Sequence, residues 1–203
     1  MIHCDNFKAG LIGHRLGHSF SPEIHSYLAD YQYRLYEMEE NEVGEFLKSC
    51  PLDAMNVTIP YKKTVMPFLD NISDEAERIG SVNTIVKKEN GLWGFNTDYY
   101  GFSFMVKRSG IEISGRKCLI LGSGGASVTV QAVLSDMGAE EIIVISRGGE
   151  NNYNNIKNHA DADVIVNTTP VGMYPKNGES PLDISPFEKL SGVIDIIYNP
   201  IKT

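Results

Sequence analysis

The sequence predicts an α/β protein of two domains, an N-terminal α/β domain over residues 1–101 and a C-terminal α/β domain over residues 102–203. Three observations carry this. Segments of helical period alternate with short β-branched runs, the pattern of strand–helix units and a mainly parallel sheet. Near mid-chain, "SVNTIVKKENGLWGFNTD" reads as two strands around an Asn90-Gly91 turn, a hairpin signal that interrupts the rhythm. Beyond it, "SGRKCLILGSGGAS" starts a second strand–helix series with a glycine-rich turn.

Taken in order, "KAGLIG" ends in a loop, and a helix is predicted from Pro22 with Ser21 as its N-cap and Ile24, Tyr27, Leu28 and Tyr31 as an apolar face at i, i+3, i+4 and i+7. "YRLYEM" is a strand, followed by a helix with Val43, Phe46, Leu47 and Cys50 on one side. "DAMNVTI" is the next strand, and Tyr61, Val65, Phe68 and Leu69 predict a helix after Pro60. The first turn of such a helix would hold Lys62 and Lys63 in an unfavourable dipole field, by roughly 0.3–1 kcal/mol each. After the hairpin, a helix over about 98–109 carries Phe102, Met105 and Val106. A further helix bears Val130, Val133, Leu134 and Met137, and strands follow at "EEIIVIS", "ADVIVNT" and "GVIDIIY".

Composition narrows the function classes. The chain has 203 residues, 42% of them hydrophobic, which is enough for a sizeable core. Its apolar runs are strand-sized, well short of the roughly 20 residues of a membrane span. The N-terminus lacks signal-peptide features, so cytoplasm is the expected compartment. A formal charge of −8 provides no basic footprint for nucleic acid, which points to a small-molecule partner. Cys4, Cys50 and Cys118 are too scattered for a disulfide framework or metal site, and His14, His18 and His25 lack an accompanying ligand cluster, so no metal is assigned.

In "CLILGSGGAS" a strand leads through Gly122-x-Gly124-x-x-Ser127 into a helix. Glycines there permit a tight turn and let backbone N–H groups approach a pyrophosphate, although a glycine-rich turn can also merely connect two elements. Where NAD sites usually carry an acid after the next strand, the chain reads "VISRGG", with Ser146 and Arg147. A guanidinium matches the 2′-phosphate of NADP, although a solvated loop arginine explains Arg147 equally when it is taken alone. In the first half, Ser19 and Ser21 lie beside a helix start, where hydroxyls and the dipole suit a carboxylate, although helix capping alone explains Ser21 equally. Asn56, Thr58, Asn83 and Asp98 recur at strand ends, where open α/β sheets bind ligands. With the serines and Lys62 they suit a polyhydroxylated ligand.

"GHSFSPEIH", "NVTIPYKKTV", "GSVNTI", "GFNTDYYGF", "GSGGAS", "VNTTPVGMYP" and "DIIY", in this order over nearly the whole chain, resemble the shikimate dehydrogenase family. The resemblance implies an N-terminal substrate domain and a C-terminal Rossmann-like NADP-binding domain, and the reversible NADPH-dependent reduction of 3-dehydroshikimate to shikimate in aromatic amino acid biosynthesis. It implies that Ser19 and Ser21 hold the substrate carboxylate. It implies that Thr58, Asn83 and Asp98 bind its hydroxyls and that Tyr198 also contacts it, with Asn56 beside them as a further substrate candidate from its strand-end position. Lys62 is implied as the catalytic proton donor, oriented by Asp98. Gly122, Ser123, Gly124, Gly125 and Ala126 would wrap the pyrophosphate, with Ser146, Arg147, Thr168 and Ile196 as further cofactor residues. Gly148 stands where the family often has threonine. Family members continue beyond a segment like "YNPIKT", so the second domain is expected to be incomplete at its C-terminus. A quinate/shikimate dehydrogenase, or a weakly active or non-catalytic ligand-binding fragment, are the alternatives, with a monomer or homodimer as the assembly.

Overall fold

The computed structural model describes residues 2–17 and 19–200, with side chains from Asn6 onward. The chain divides into two compact units, Met1–Thr97 and Asp98–Thr203. The division falls at the first turn of a helix, three to four residues before the expected position near 101, so Asp98 belongs to the second unit.

In the first unit, β1 (Ile2–Gly13), α1 (Ser21–Leu28), β2 (Ala29–Glu37), α2 (Val43–Ser49), β3 (Ala54–Val57), β4 (Asn71–Ile72), α3 (Asp74–Ile79), β5 (Thr84–Lys88) and β6 (Gly91–Phe95) follow one another. The sheet order is β2-β1-β3-β5-β6-β4. β2, β1 and β3 are parallel, whereas β5 runs against both β3 and β6. Side chains alternate across the sheet. Ile12, Met55, Val57 and Ile85 therefore point to one face, where they meet Val43, Leu47, Tyr61, Val65 and Ala76 in a common core. The opposite face carries Leu11, Tyr33, Leu35, Asn56 and Thr84, and His25 of α1 stacks on Tyr33 there.

Several local expectations are corrected. Phe20, already in αR geometry, is the N-cap of α1, and Ser21 is its first helical residue. Ser19 Oγ takes the Ser21 N–H at 3.2 Å, which draws the turn in one residue early. The apolar stripe of α1 is not its packed face: Ile24, Tyr27 and Leu28 are 53%, 77% and 61% exposed, and Tyr31 lies in β2. α1 covers a polar sheet face, so the polar His25 points inward. No α-helix follows Pro60. The segment makes one helical-type bond, Val65 N–H to Tyr61 O, and then a 3-10 turn over Met66–Phe68, because Pro67 has no N–H to continue an α-helix. Tyr61 and Val65 are buried as expected, and the dipole field expected at Lys62 has no helix to produce it. The hairpin turn itself is Glu89-Asn90, since Lys88 pairs with Gly91, whose φ of 111° supplies the reversal.

The second unit is simpler. It runs α4 (Thr97–Ser109, starting at the last residue of the first unit), β7 (Lys117–Leu121), α5 (Gly125–Asp136), β8 (Glu141–Ile145), β9 (Val164–Asn167) and β10 (Gly192–Asp195). The sheet is wholly parallel, in the order β10-β9-β7-β8. Parallel sheets are covered on both faces, and the strands read accordingly as continuous apolar runs. Cys118, Ile120, Val164 and Val166 pack against Phe102, Val106, Val130, Val133 and Leu134 of α4 and α5. Leu119, Leu121, Ile143, Ile145 and Ile165 pack on the other side against Ile156, Ala162 and Phe187, supplied by a 3-10 turn and loops. Each fully buried aliphatic side chain is worth roughly 1.5–3 kcal/mol.

Candidate active site

Chain direction gathers the first group of candidates. β3 ends at Val57, and the antiparallel β5 begins beside it, with Asn56 opposite Thr84. Asn83 thus precedes its strand rather than ending one, yet stands at the same end of the sheet as Asn56 and Thr58. Val57 N–H donates to Asn83 O at 2.8 Å, and Thr58 N–H to Ile12 O at 3.0 Å. Lys62 O accepts Val82 N–H at 2.8 Å, which anchors the backbone of the lysine next to the Asn83 position. Lys62 is partly buried and Lys63 exposed, so the two lysines occupy different environments.

Two hydrogen-bonded groups hold several of these residues. Ser19 Oγ donates to Ser21 Oγ at 3.1 Å, and Tyr33 Oη donates to Asn56 Oδ1 at 2.8 Å. Asn56 Nδ2 donates to Thr84 Oγ1 at 3.3 Å, and Thr84 Oγ1 to Asn83 Oδ1 at 3.1 Å. Asn83 is 7% exposed, and its Oδ1 also receives Thr97 N–H at 2.8 Å. Burial pushes the Tyr33 phenol up to about 12, against a hydrogen bond with Ser21 that lowers it. His25 is lowered by burial, with a hydrogen bond to Asn56 opposing the shift. Its ring stacks on Tyr33 with centroids 3.9 Å apart, and its Nδ1 bonds the Tyr31 hydroxyl. Tyr31, Tyr33, His25 and Thr84 were not singled out from the sequence. The i, i+2 spacing of Tyr31 and Tyr33 in "YQYRLY" was the available signal, because it puts both phenols on one strand face.

The second unit holds the other candidates. Gly122 leaves β7 with φ 103°, a backbone region favouring glycine, and a Cβ there would sit 2.9 Å from Thr168 Oγ1. Thr168 clamps this turn by donating both Oγ1–H (2.7 Å) and N–H (2.9 Å) to Leu121 O. Gly124 is the N-cap of α5 with no side-chain cap, and nothing lies within 4 Å of where its Cβ would be. Ser123, Gly125 and Ala126 complete this turn, whose first N–H groups have no intrahelical acceptors. Ser127, fully buried, allows the close helix–strand approach expected of the third position. The residues thus fit a pyrophosphate at a helix N-terminus.

After β8, Ser146 is partly buried and Arg147 exposed in a tight turn closed by Gly149 N–H to Ser146 O at 3.3 Å. Burial raises the Tyr153 phenol, and the Arg147 charge opposes this, which puts the guanidinium near that ring. Ile196 packs on the core, its N–H donating to Asn167 O at 3.3 Å, whereas Tyr198 is 73% exposed. Asp98 is partly buried in the first turn of α4, where the dipole favours a carboxylate. Among the described residues, no group of three or more His, Cys, Asp or Glu could hold a metal ion. His14 pairs with Glu39 at 3.4 Å, while His18 and the Cys4 side chain lie outside the described residues. Cys50 and Cys118 are free thiols. No helix among the described residues is long and apolar enough to cross a membrane.

A polar array at one sheet end in the first unit and a dinucleotide-type glycine turn in the second define the class, a two-unit α/β nucleotide-binding protein. Residues 11–85 match the shikimate dehydrogenase substrate binding domain. The chain is 41% identical to a shikimate dehydrogenase (NADP(+)) of Clostridium beijerinckii, over 96% of this chain and 79% of that relative. Its structure resembles shikimate dehydrogenase 1 of Peptoclostridium difficile with a TM-score of 0.88 and 38% identity, covering 97% of this chain and 80% of the other. It also resembles a shikimate 5-dehydrogenase of Thermus thermophilus in complex with NADP(H) and shikimate, with a TM-score of 0.82 and 30% identity over 96% and 80% of the two chains. The chain belongs to the shikimate dehydrogenase family.

Proposed function

We propose that this chain catalyses the reversible NADPH-dependent reduction of 3-dehydroshikimate to shikimate, a step of aromatic amino acid biosynthesis. The observation that carries the reading is the hydrogen-bonded run from Tyr33 through Asn56 and Thr84 to Asn83 at one end of the first sheet, with the paired hydroxyls of Ser19 and Ser21 as a second polar group. Hydroxyl donors suit a carboxylate and side-chain amides suit ring hydroxyls, the two polar features of this substrate. Thr58 and Asp98 are assigned to further hydroxyls and Tyr198 to the substrate.

Lys62 is assigned as general acid. As the carbonyl carbon is reduced, its oxygen gains negative charge, and the ammonium gives it a proton and is then recharged from solvent. When bound, NADPH supplies the hydride. Gly122, Ser123, Gly124, Gly125 and Ala126 would hold the pyrophosphate, with Thr168 keeping that turn in shape. Ser146 and Arg147 would take the 2′-phosphate, and Ile196 the nicotinamide end. The substrate role of the first unit, the cofactor role of the second, a cytoplasmic location and a monomeric or homodimeric state belong to the same proposal.

A spectrophotometric assay of shikimate with NADP⁺ and with NAD⁺ tests it. Turnover with preference for NADP⁺ is expected, and absence of turnover with both cofactors would overturn the reading.

A further inference from the structure

Resting on the substrate site proposed above, the geometry points to Tyr33 as a positioning residue that fixes which hydrogen-bonding group Asn56 offers to the substrate. An asparagine amide has two acceptor lone pairs and two donor hydrogens. Oδ1 of Asn56 receives the Tyr33 hydroxyl at 2.8 Å. One Nδ2 hydrogen goes to Thr84 Oγ1 at 3.3 Å. The amide is thereby held in one orientation, with its second Nδ2 hydrogen as the group for a ligand oxygen. Tyr33 can do this only because it is itself held. Its strand lies across β1 from β3, so the side chain spans one intervening strand, and the His25 ring stacks on it at 3.9 Å with planes 16° apart.

Tyr33 donates its only hydrogen to Asn56, and Ser19 Oγ donates to Ser21 Oγ. A carboxylate needs both serine hydroxyls as donors, so on binding Ser19 gives up its bond to Ser21, while Tyr33 keeps its bond to Asn56. Tyr33 acts through Asn56 on substrate binding and does not touch the proton transfer at Lys62.

Tyr33→Phe keeps the ring and its stacking while removing the hydroxyl. It is expected to raise the shikimate KM, and the calorimetric shikimate Kd, about tenfold, the scale of one oriented hydrogen bond. The kcat and the NADP⁺ KM should stay within about twofold, because the lost interaction serves the bound and transition states alike. In an Asn56→Ala background, Tyr33→Phe should add nothing further. A merely structural role would instead lower the melting temperature and give additive losses in the double variant, which overturns the proposal. So does a Tyr33→Phe protein with wild-type affinity. If the wild-type chain neither turns over nor binds shikimate, the functional reading fails first and this proposal with it.

Discussion

In the four-stranded sheet of the second unit, the inner strand β7 is sealed from both sides, with Cys118, Leu119 and Ile120 at 0% exposure and Leu121 at 1%. In the six-stranded sheet of the first unit one face is sealed, and the reverse face mixes Leu11, 6% exposed, with more open positions. Ile12 and Ile85 are 0% exposed, whereas on the reverse face Leu35 is 37% exposed and Asn56 and Thr84 are partly buried. The difference separates two ways of building a site. A sheet buried on both faces has nowhere to put polar groups except its strand ends, which is where Gly122, Ser146 and Thr168 stand. A sheet with one spare face can carry polar side chains within its strands, provided each finds a partner, since an unsatisfied buried polar group costs roughly 1–3 kcal/mol. The run from Tyr33 to Asn83 meets that condition.

If the first unit carries the chemistry, the largest single effect falls there. Lys62→Ala is expected to lower kcat by roughly 10²–10⁴-fold with much smaller changes in substrate KM, because it removes a positioned proton donor. Steady-state kinetics and a thermal melt on the same sample check this, and unchanged turnover would remove Lys62 from the role. The two sheets should also differ in tolerance. Ile120→Ala, at 0% exposure, should destabilise by about 2–5 kcal/mol, whereas Leu35→Ala, on the open face, should stay within about 1 kcal/mol in chemical denaturation. Equal losses would mean that the open face is as tightly packed as the closed one.

How legible these regions were in the sequence follows from the same contrast. Continuous apolar strands and a 3.6-residue repeat leave one solution, and Val130, Val133 and Leu134 were readable as the buried side of α5. In the first unit the period misled twice. Ile24, Tyr27 and Leu28 form a helical stripe that the fold leaves exposed, because the face α1 has to cover is polar. Tyr61 and Val65 sit four apart and are buried, yet Pro67 ends any helix there, a signal present in the sequence and outweighed by the pattern. α3 went unread because its six residues bury only Ala76 and Ile79, although Ser73 caps it by accepting Ala76 N–H at 3.3 Å ahead of an acidic first turn. Of the polar array, Ser19, Ser21, Asn56 and Asn83 were legible from motif spacing. Tyr33, His25 and Thr84 were not, because their contacts depend on strand order, which spacing does not reveal.

A smaller effect tests the strand-end design of the second unit. Gly122→Ala would put a Cβ on a φ of 103° and 2.9 Å from Thr168 Oγ1. Such strain costs of order 1–3 kcal/mol and displaces the turn assigned to the pyrophosphate. The NADP⁺ KM should rise about tenfold or more with little change in the shikimate KM, read from kinetics with each substrate varied in turn. A reversed pattern would detach this turn from the cofactor.

The smallest expected effect probes the cost of using the spare face. His25 packs there against Tyr31 and Tyr33 and is hydrogen-bonded to Asn56, with its basicity lowered by burial. In the unfolded chain the imidazole returns to about 6.5. Between the lowered folded value and 6.5 the unfolded state binds more protons, so stability rises with pH through that window. His25 therefore leaves stability intact above about pH 6.5 and erodes it as the pH falls, by displacing the neutral ring that stacks on Tyr33. His25→Gln cannot titrate and should flatten the dependence of melting temperature on pH below about 6.5. Parallel wild-type and variant curves would show that protonating His25 costs the fold nothing. The polar face would then be loose enough to admit a charge, and the Tyr33 contact that holds Asn56 could not be rigid.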